Sequence, residues 1–240
     1  MFIFLRLLLA HFIGDFPLQF DSVYKIKCKG PRGVIPHVLI VAAMLILLSW
    51  PYLKLVDMWV FIAFVSMTHL FQDQAKMFFK KGRKETFWQY LTDQFLHIAA
   101  ISIVLLTYFK DLKPPQEAIY PVAKIYNNDL LIVCLILIIV ATYNGYYMIE
   151  TFKNTFFETR HSSTRFEKWY GMIERLAIVL VFLPGGAFLI TIPFILCLRV
   201  PIYRVVSKYK LNLNKEFISF LEISLSGTVA LAAGIALYLM

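Results

Sequence analysis

Charge is scarce in this chain of 240 residues: only 16% are Asp, Glu, Lys or Arg, where a soluble domain carries about 25%. With 60% hydrophobic residues and a mean hydropathy of +0.69, that scarcity excludes an ordinary soluble globular fold. Cysteine is scarce too. Cys28, Cys134 and Cys197 stand alone without CxxC spacing, which excludes a disulfide framework and a thiolate metal site. The first residues lack the basic n-region and small-residue cleavage motif of a signal peptide, so the opening apolar run is expected to remain as a helix. No nucleophilic Ser or Cys motif occurs, and no loop is long enough for a soluble domain. What the chain has instead is Phe (22) and Tyr (13) among apolar runs. It reads as an all-α, polytopic transmembrane helix bundle.

Runs near the ~20 residues that a bilayer core requires fall at about 2–20, 34–53, 57–78, 87–109, 129–152 and 217–239. The stretch 169–203 is too long for one span, and Pro184-Gly185-Gly186 divides it into about 169–183 and 187–203, two spans or a re-entrant hairpin. The expectation is eight helices. The net charge of +9 is read as topology and not as a nucleic-acid signal. With both termini outside, the cytoplasmic loops 21–33, 79–86, 153–168 and 204–216 hold Lys25, Lys27, Lys29, Arg32, Lys80, Lys81, Arg83, Lys84, Lys153, Arg160, Arg165, Lys168, Arg204, Lys208, Lys210 and Lys215. The outer connections hold only Lys54, Lys110, Lys113 and Lys124, as the positive-inside rule demands. The segment 110–128, with Pro114-Pro115, reads as an external linker. The single membrane domain then has a four-helix half at 1–109 and a supporting half at 129–240.

Within these apolar helices polar residues recur at one-turn spacing. HFIGDFPLQ places His11, Asp15 and Gln19 on one helical face; THLFQDQAK does the same for His69, Asp73 and Lys76, and TDQFLH for Asp93 and His97. His37 opens the second helix. At about 1.5 Å per residue, His11, His69 and His97 lie roughly 14 Å from the cytoplasmic ends, the three carboxylates roughly 8 Å, and His37 about 5 Å. His precedes Asp in the first and third helices and follows it in the fourth, as one shared layer in alternating helices requires. His-x3-Asp followed by a lone His occurs twice, so helices 1–2 and 3–4 read as a parallel duplication. Ionisable residues at such depth mark function, because packing alone gains little from them.

Imidazole with carboxylate suits a divalent metal, zinc first and Mn or Fe as alternatives, as one ion or two. The expected ligand pool is His11, Asp15, His37, His69, Asp73 and His97. Asp93 is expected to orient His97 or act as general base, and Lys76 to meet an anionic group, pair with Asp73 or snorkel. Gln19 and Gln94 are candidate partners of substrate or ligands. Glu174 and Arg175 in GMIER are adjacent, so they need separate partners. They are candidates for the cytoplasmic rim of the site or for ordinary interfacial charges.

These motifs resemble a family of bacterial integral membrane proteins known as domain of unknown function 3307. HFIGDFPLQ, His37, HLFQDQAK and DQFLH follow its pattern in order, GMIER resembles its Gly-x2-Glu-Arg stretch, and CLRVPIYR diverges. The resemblance implies a recurring pattern at these positions, in a bacterial membrane, and no particular chemistry. The residues themselves point first to a metal-dependent hydrolase in the cytoplasmic leaflet of the inner membrane. Its expected substrate is a membrane lipid or lipid-linked phosphate or ester. The alternatives are a metal-ion or proton transporter using the same cluster, and a non-catalytic membrane scaffold.

Overall fold

The computed structural model describes residues 1–80, 83–113, 120–157, 163–208 and 219–240. All regular structure among them is helical. Among the described residues, five helical stretches are long and apolar enough to cross a bilayer: Pro31–Leu48, Phe87–Leu106, Asp129–Phe156, Gly186–Val206 and Phe220–Tyr238. This is the make-up of a membrane protein. Pro114-Pro115, Lys81, Arg160, His161, Lys210 and Lys215 lie outside the described residues.

The first compact unit is Met1–Ile136. Helix α1 (Phe2–Asp15) leads through short α2 (Asp21–Lys27) and a 3-10 turn (Pro31–Val34) into α3 (Ile35–Leu48), followed by α4 (Val56–Lys80) and α5 (Phe87–Ser102). Helix α5 begins at a capping box: the Gln89 amide donates to Thr86 Oγ1, and the Gln89 side chain accepts from the Thr86 amide. α1 packs along α3, α3 along α4, α4 along α5, and α5 returns to α1. A four-helix ring results. One end of it is filled with Ile3, Leu7, Val41, Leu45, Met58, Ile62, Val65, Ile101 and Val104, all buried. Within the same stretch of α1, between Ile3 and Leu7, buried Arg6 donates to the carbonyls of Phe2 and Tyr126 and pairs with Asp129. Each of the three nitrogens of this buried guanidinium thus has a partner.

Three expectations need correction. The first helix ends at Asp15 and not near residue 20, because Pro17 has no N–H and its ring would meet the Ile13 carbonyl. Residues 21–33 are not simply a loop but α2 and the 3-10 turn. The linker 110–128 includes a helix, α6 (Tyr120–Tyr126), before α7 (Asp129–Ile139).

The second unit is Leu137–Met240; the boundary falls inside the helical stretch Asp129–Phe156. A π-helical turn (Val140–Asn144) leads into α8 (Gly145–Phe156), then α9 (Arg165–Val181). The Pro184-Gly185-Gly186 turn separates α9 from a 3-10 turn (Gly186–Thr191), α10 (Ile192–Cys197) and α11 (Arg199–Lys208). α12 (Phe220–Tyr238) packs on α8 and α9.

Candidate metal centre

Beyond the apolar end of the four-helix ring, its polar residues meet. His11, Asp15, His37, His69, Asp73, Asp93, Gln94 and His97 are all buried. Close helix approach permits this: a Cβ on Gly14 would lie 2.9 Å from Val41 Cα. With glycine between His11 and Asp15, α1 can press against α3 and bring Asp15 to His37.

Four donor atoms from three helices converge. His37 Nε2 lies 3.0 Å from Asp15 Oδ1, 3.1 Å from His69 Nε2 and 3.5 Å from Asp73 Oδ2. His69 Nε2 lies 3.4 Å from Asp73 Oδ2 and 4.0 Å from Asp15 Oδ1. Ligand bonds of 2.0–2.2 Å place tetrahedral ligand atoms ~3.4 Å apart, and the separations within the Asp15, His37 and His69 group, 3.0, 3.1 and 4.0 Å, bracket that edge. Protons alone satisfy the arrangement poorly. Each neutral imidazole carries one N–H, and His37 Nε2 faces two carboxylate oxygens and a second ring nitrogen at once. A cation among these lone pairs removes the conflict. A second group overlaps the first: His69, Asp73 and His97 also offer donor atoms within 4.8 Å of one another. Asp73 therefore serves both, with Oδ2 facing His37 and His69, and Oδ1 lying 4.0 Å from His97 Nε2.

His11 faces the same space. Its ring centre is 5.2 Å from that of His97 and 5.5 Å from that of His69, and neither of its nitrogens has a hydrogen-bond partner. Leaving a buried polar group unpaired costs about 1–3 kcal/mol, so two such nitrogens on a fully buried ring call for a ligand. His69 and His97 stack at 4.1 Å. The donor set of imidazole and carboxylate fits a borderline divalent ion.

Outer partners hold these groups in place. Gln94 Nε2 donates to Asp15 Oδ2 at 3.1 Å, and Asp93 Oδ1 lies 3.4 Å from His97 Nε2. Lys76 Nζ reaches Asp93 at 2.7 Å and Glu85 at 2.8 Å. Gln19 is not on the helical face with His11 and Asp15, since α1 has already ended, yet its amide comes within 3.2 Å of His37 Nε2. Sequence reasoning missed Lys27. Counted as a loop charge, it is buried on α2, with Nζ 2.7 Å from Asp73 Oδ2. Glu85 was missed as well.

Glu174 and Arg175 lie in the second unit, in a network of its own. Arg199 grips Glu174 with Nε at 2.6 Å and Nη2 at 2.9 Å, and Ser226 Oγ donates to Glu174 at 2.7 Å. Arg175 Nε donates to the Ala141 carbonyl at 2.7 Å, in the π-helical turn, and Nη1 to Ser226. Lys153 bridges Glu150 and Glu222. Among the described residues named here, three acids and three bases balance.

No curated protein and no solved structure matches the chain. Residues 3–126 match the family described as protein of unknown function (DUF3307), a region that includes every residue of the His/Asp centre and stops short of the second unit. The match spans more than half of the sequence, and the chain belongs to that family.

Proposed function

We propose that this protein is a membrane-embedded, metal-dependent hydrolase acting from the cytoplasmic leaflet of a bacterial inner membrane on a lipid or lipid-linked phosphate or ester. One observation carries the reading. Asp15 Oδ1, His37 Nε2, His69 Nε2 and Asp73 Oδ2 converge in a buried layer, beside a His11 ring whose nitrogens lack partners. A divalent metal held there, with zinc favoured and Mn or Fe as alternatives, supplies Lewis acidity toward a phosphoryl or acyl oxygen and a water acidic near neutral pH.

The residues divide the remaining work. Gln94 fixes the Asp15 carboxylate. Asp93 Oδ1 lies 3.4 Å from His97 Nε2, a nitrogen without a hydrogen-bond partner, and is placed to orient that ring as it takes and returns a proton. His11, with both nitrogens open, completes the donor set or receives the proton. Lys76 neutralises Asp93 and Glu85. The same four helices are packed with apolar side chains beyond the histidines. That favours a blind pocket over the transport path that the alternative requires.

The test is reconstitution into vesicles containing phosphatidic acid or a lipid diphosphate, with released phosphate and metal or proton flux measured in the same samples. Phosphate release that a chelator abolishes and His69→Ala eliminates supports the hydrolase. Flux that depends on His69, without release, supports the transporter and overturns this reading.

A further inference from the structure

Charge separates the two buried polar clusters. The network of the second unit is balanced, and its side chains bond to one another. The layer in the first unit is not balanced. With neutral imidazoles, Asp15, Asp73, Asp93 and Glu85 meet Lys27 and Lys76 among the described residues. It is two positive charges short, which one divalent ion supplies. Without substrate, a second ion would leave an excess as large as the deficit, in a place where uncompensated charge is costly.

The donor sets nevertheless resemble a two-cation centre, because Asp73 presents one oxygen to each. Two-metal sites hold their ions about 3.5–4 Å apart to clamp a displacement at phosphorus. Here the Lys27 ammonium already sits on Asp73, 2.7 Å from Oδ2. Its approach is built into the fold. Lys27 is the buried residue of α2, and the helix end that carries it is pressed against the 3-10 turn: a Cβ on Gly33 would lie 1.9 Å from the Ile26 carbonyl oxygen. Lys76 cannot take the same part, since two carboxylates already hold it. An ammonium has three donors, and the Lys27–Asp73 contact is an ion pair in which neither Asp73 oxygen accepts a hydrogen bond.

We infer that Lys27 is the second cation of the centre: the site takes one divalent ion, held by Asp15, His37, His69 and Asp73, and the Lys27 ammonium binds a phosphoryl oxygen of the substrate beside it. This rests on the metal-centre reading above and adds a stoichiometry and a substrate class, the phosphate monoanion or dianion. Phosphate is matched by an ammonium acting as a point charge, whereas a neutral carboxylic ester has no such need.

The experiment uses the full chain in phosphatidylcholine nanodiscs, stripped of metal and then titrated with zinc. Bound zinc is counted by elemental analysis, and inorganic phosphate binding is followed by calorimetry. One zinc per chain is expected for wild type, Lys27→Arg and Lys27→Met. Phosphate affinity should fall about 10- to 100-fold in Lys27→Met, the worth of one charge-assisted hydrogen bond, and stay near wild type in Lys27→Arg. Two zinc ions per wild-type chain, or unchanged phosphate affinity in Lys27→Met, would overturn the inference. No bound zinc in wild type would instead sink the metal centre itself. If Lys27→Met does not fold, Lys27→Gln makes the same charge deletion with a polar stem. Nanodiscs containing phosphatidic acid identify the source of the phosphate: competition with inorganic phosphate assigns a lipid headgroup, and its absence a soluble phosphate.

Discussion

Asp73→Asn is the most informative single change in this structure. The substitution keeps the shape of the side chain and removes one negative charge from a residue with 0% exposure. Lys27, 4% exposed, then loses its carboxylate while remaining buried. Breaking a buried ion pair by deleting one partner costs about 3–5 kcal/mol, most of it from the stranded charge. Adding Lys27→Met to Asp73→Asn removes the stranded ammonium. The double variant should therefore regain most of that loss, and the layer returns to the net charge of the wild type. The assay is unfolding of the four proteins of the cycle in detergent, followed by circular dichroism in the presence of chelator so that metal does not contribute. A coupling energy of about 2–4 kcal/mol is expected, as large as the loss that the second change restores. If the two changes add without coupling, the Lys27–Asp73 pair does not exist and the charge argument built on it fails.

Three further outcomes follow from particular contacts. Gly14→Ala puts a Cβ 2.9 Å from Val41 Cα; a cost of about 1–3 kcal/mol is expected, together with weaker zinc binding in a competition titration as α1 moves off α3. Lys76→Met leaves Asp93 and Glu85 without their shared ammonium and should destabilise the protein by about 1.5–3 kcal/mol, measured by the same detergent unfolding, without removing the bound metal. Glu174→Gln strips the carboxylate that Arg199 and Ser226 share. It should cost about 3–5 kcal/mol and leave the zinc content of the folded fraction unchanged, because that network belongs to the second unit.

The apolar runs make the helical architecture legible, and one-turn spacing marks His11 with Asp15, His69 with Asp73, and Asp93 with His97 before any coordinates are seen. Periodicity works there because each pair lies within a helix several turns long. It fails where a helix is too short to show a period. Helix α2 has seven residues, so Lys27 reads as one more basic residue of a cytoplasmic loop. It fails again at Gln19, where Pro17 ends the helix but the chain folds back and returns the amide to His37. Gly14 draws no notice in sequence, since only the facing Val41 backbone explains it. The division into compact units at residues 136 and 137 falls within a continuous helix, where no change of composition announces it.

The central claim is that imidazoles and carboxylates from α1, α3 and α4 hold one divalent metal. X-ray absorption at the zinc edge, on protein purified without chelators, tests it most directly. One zinc per chain is expected, in a nitrogen and oxygen shell at about 2.0–2.2 Å, with no sulfur ligand and an imidazole contribution that decreases in His37→Ala. Protein that folds without taking up metal, or a shell unchanged by His37→Ala, would contradict it.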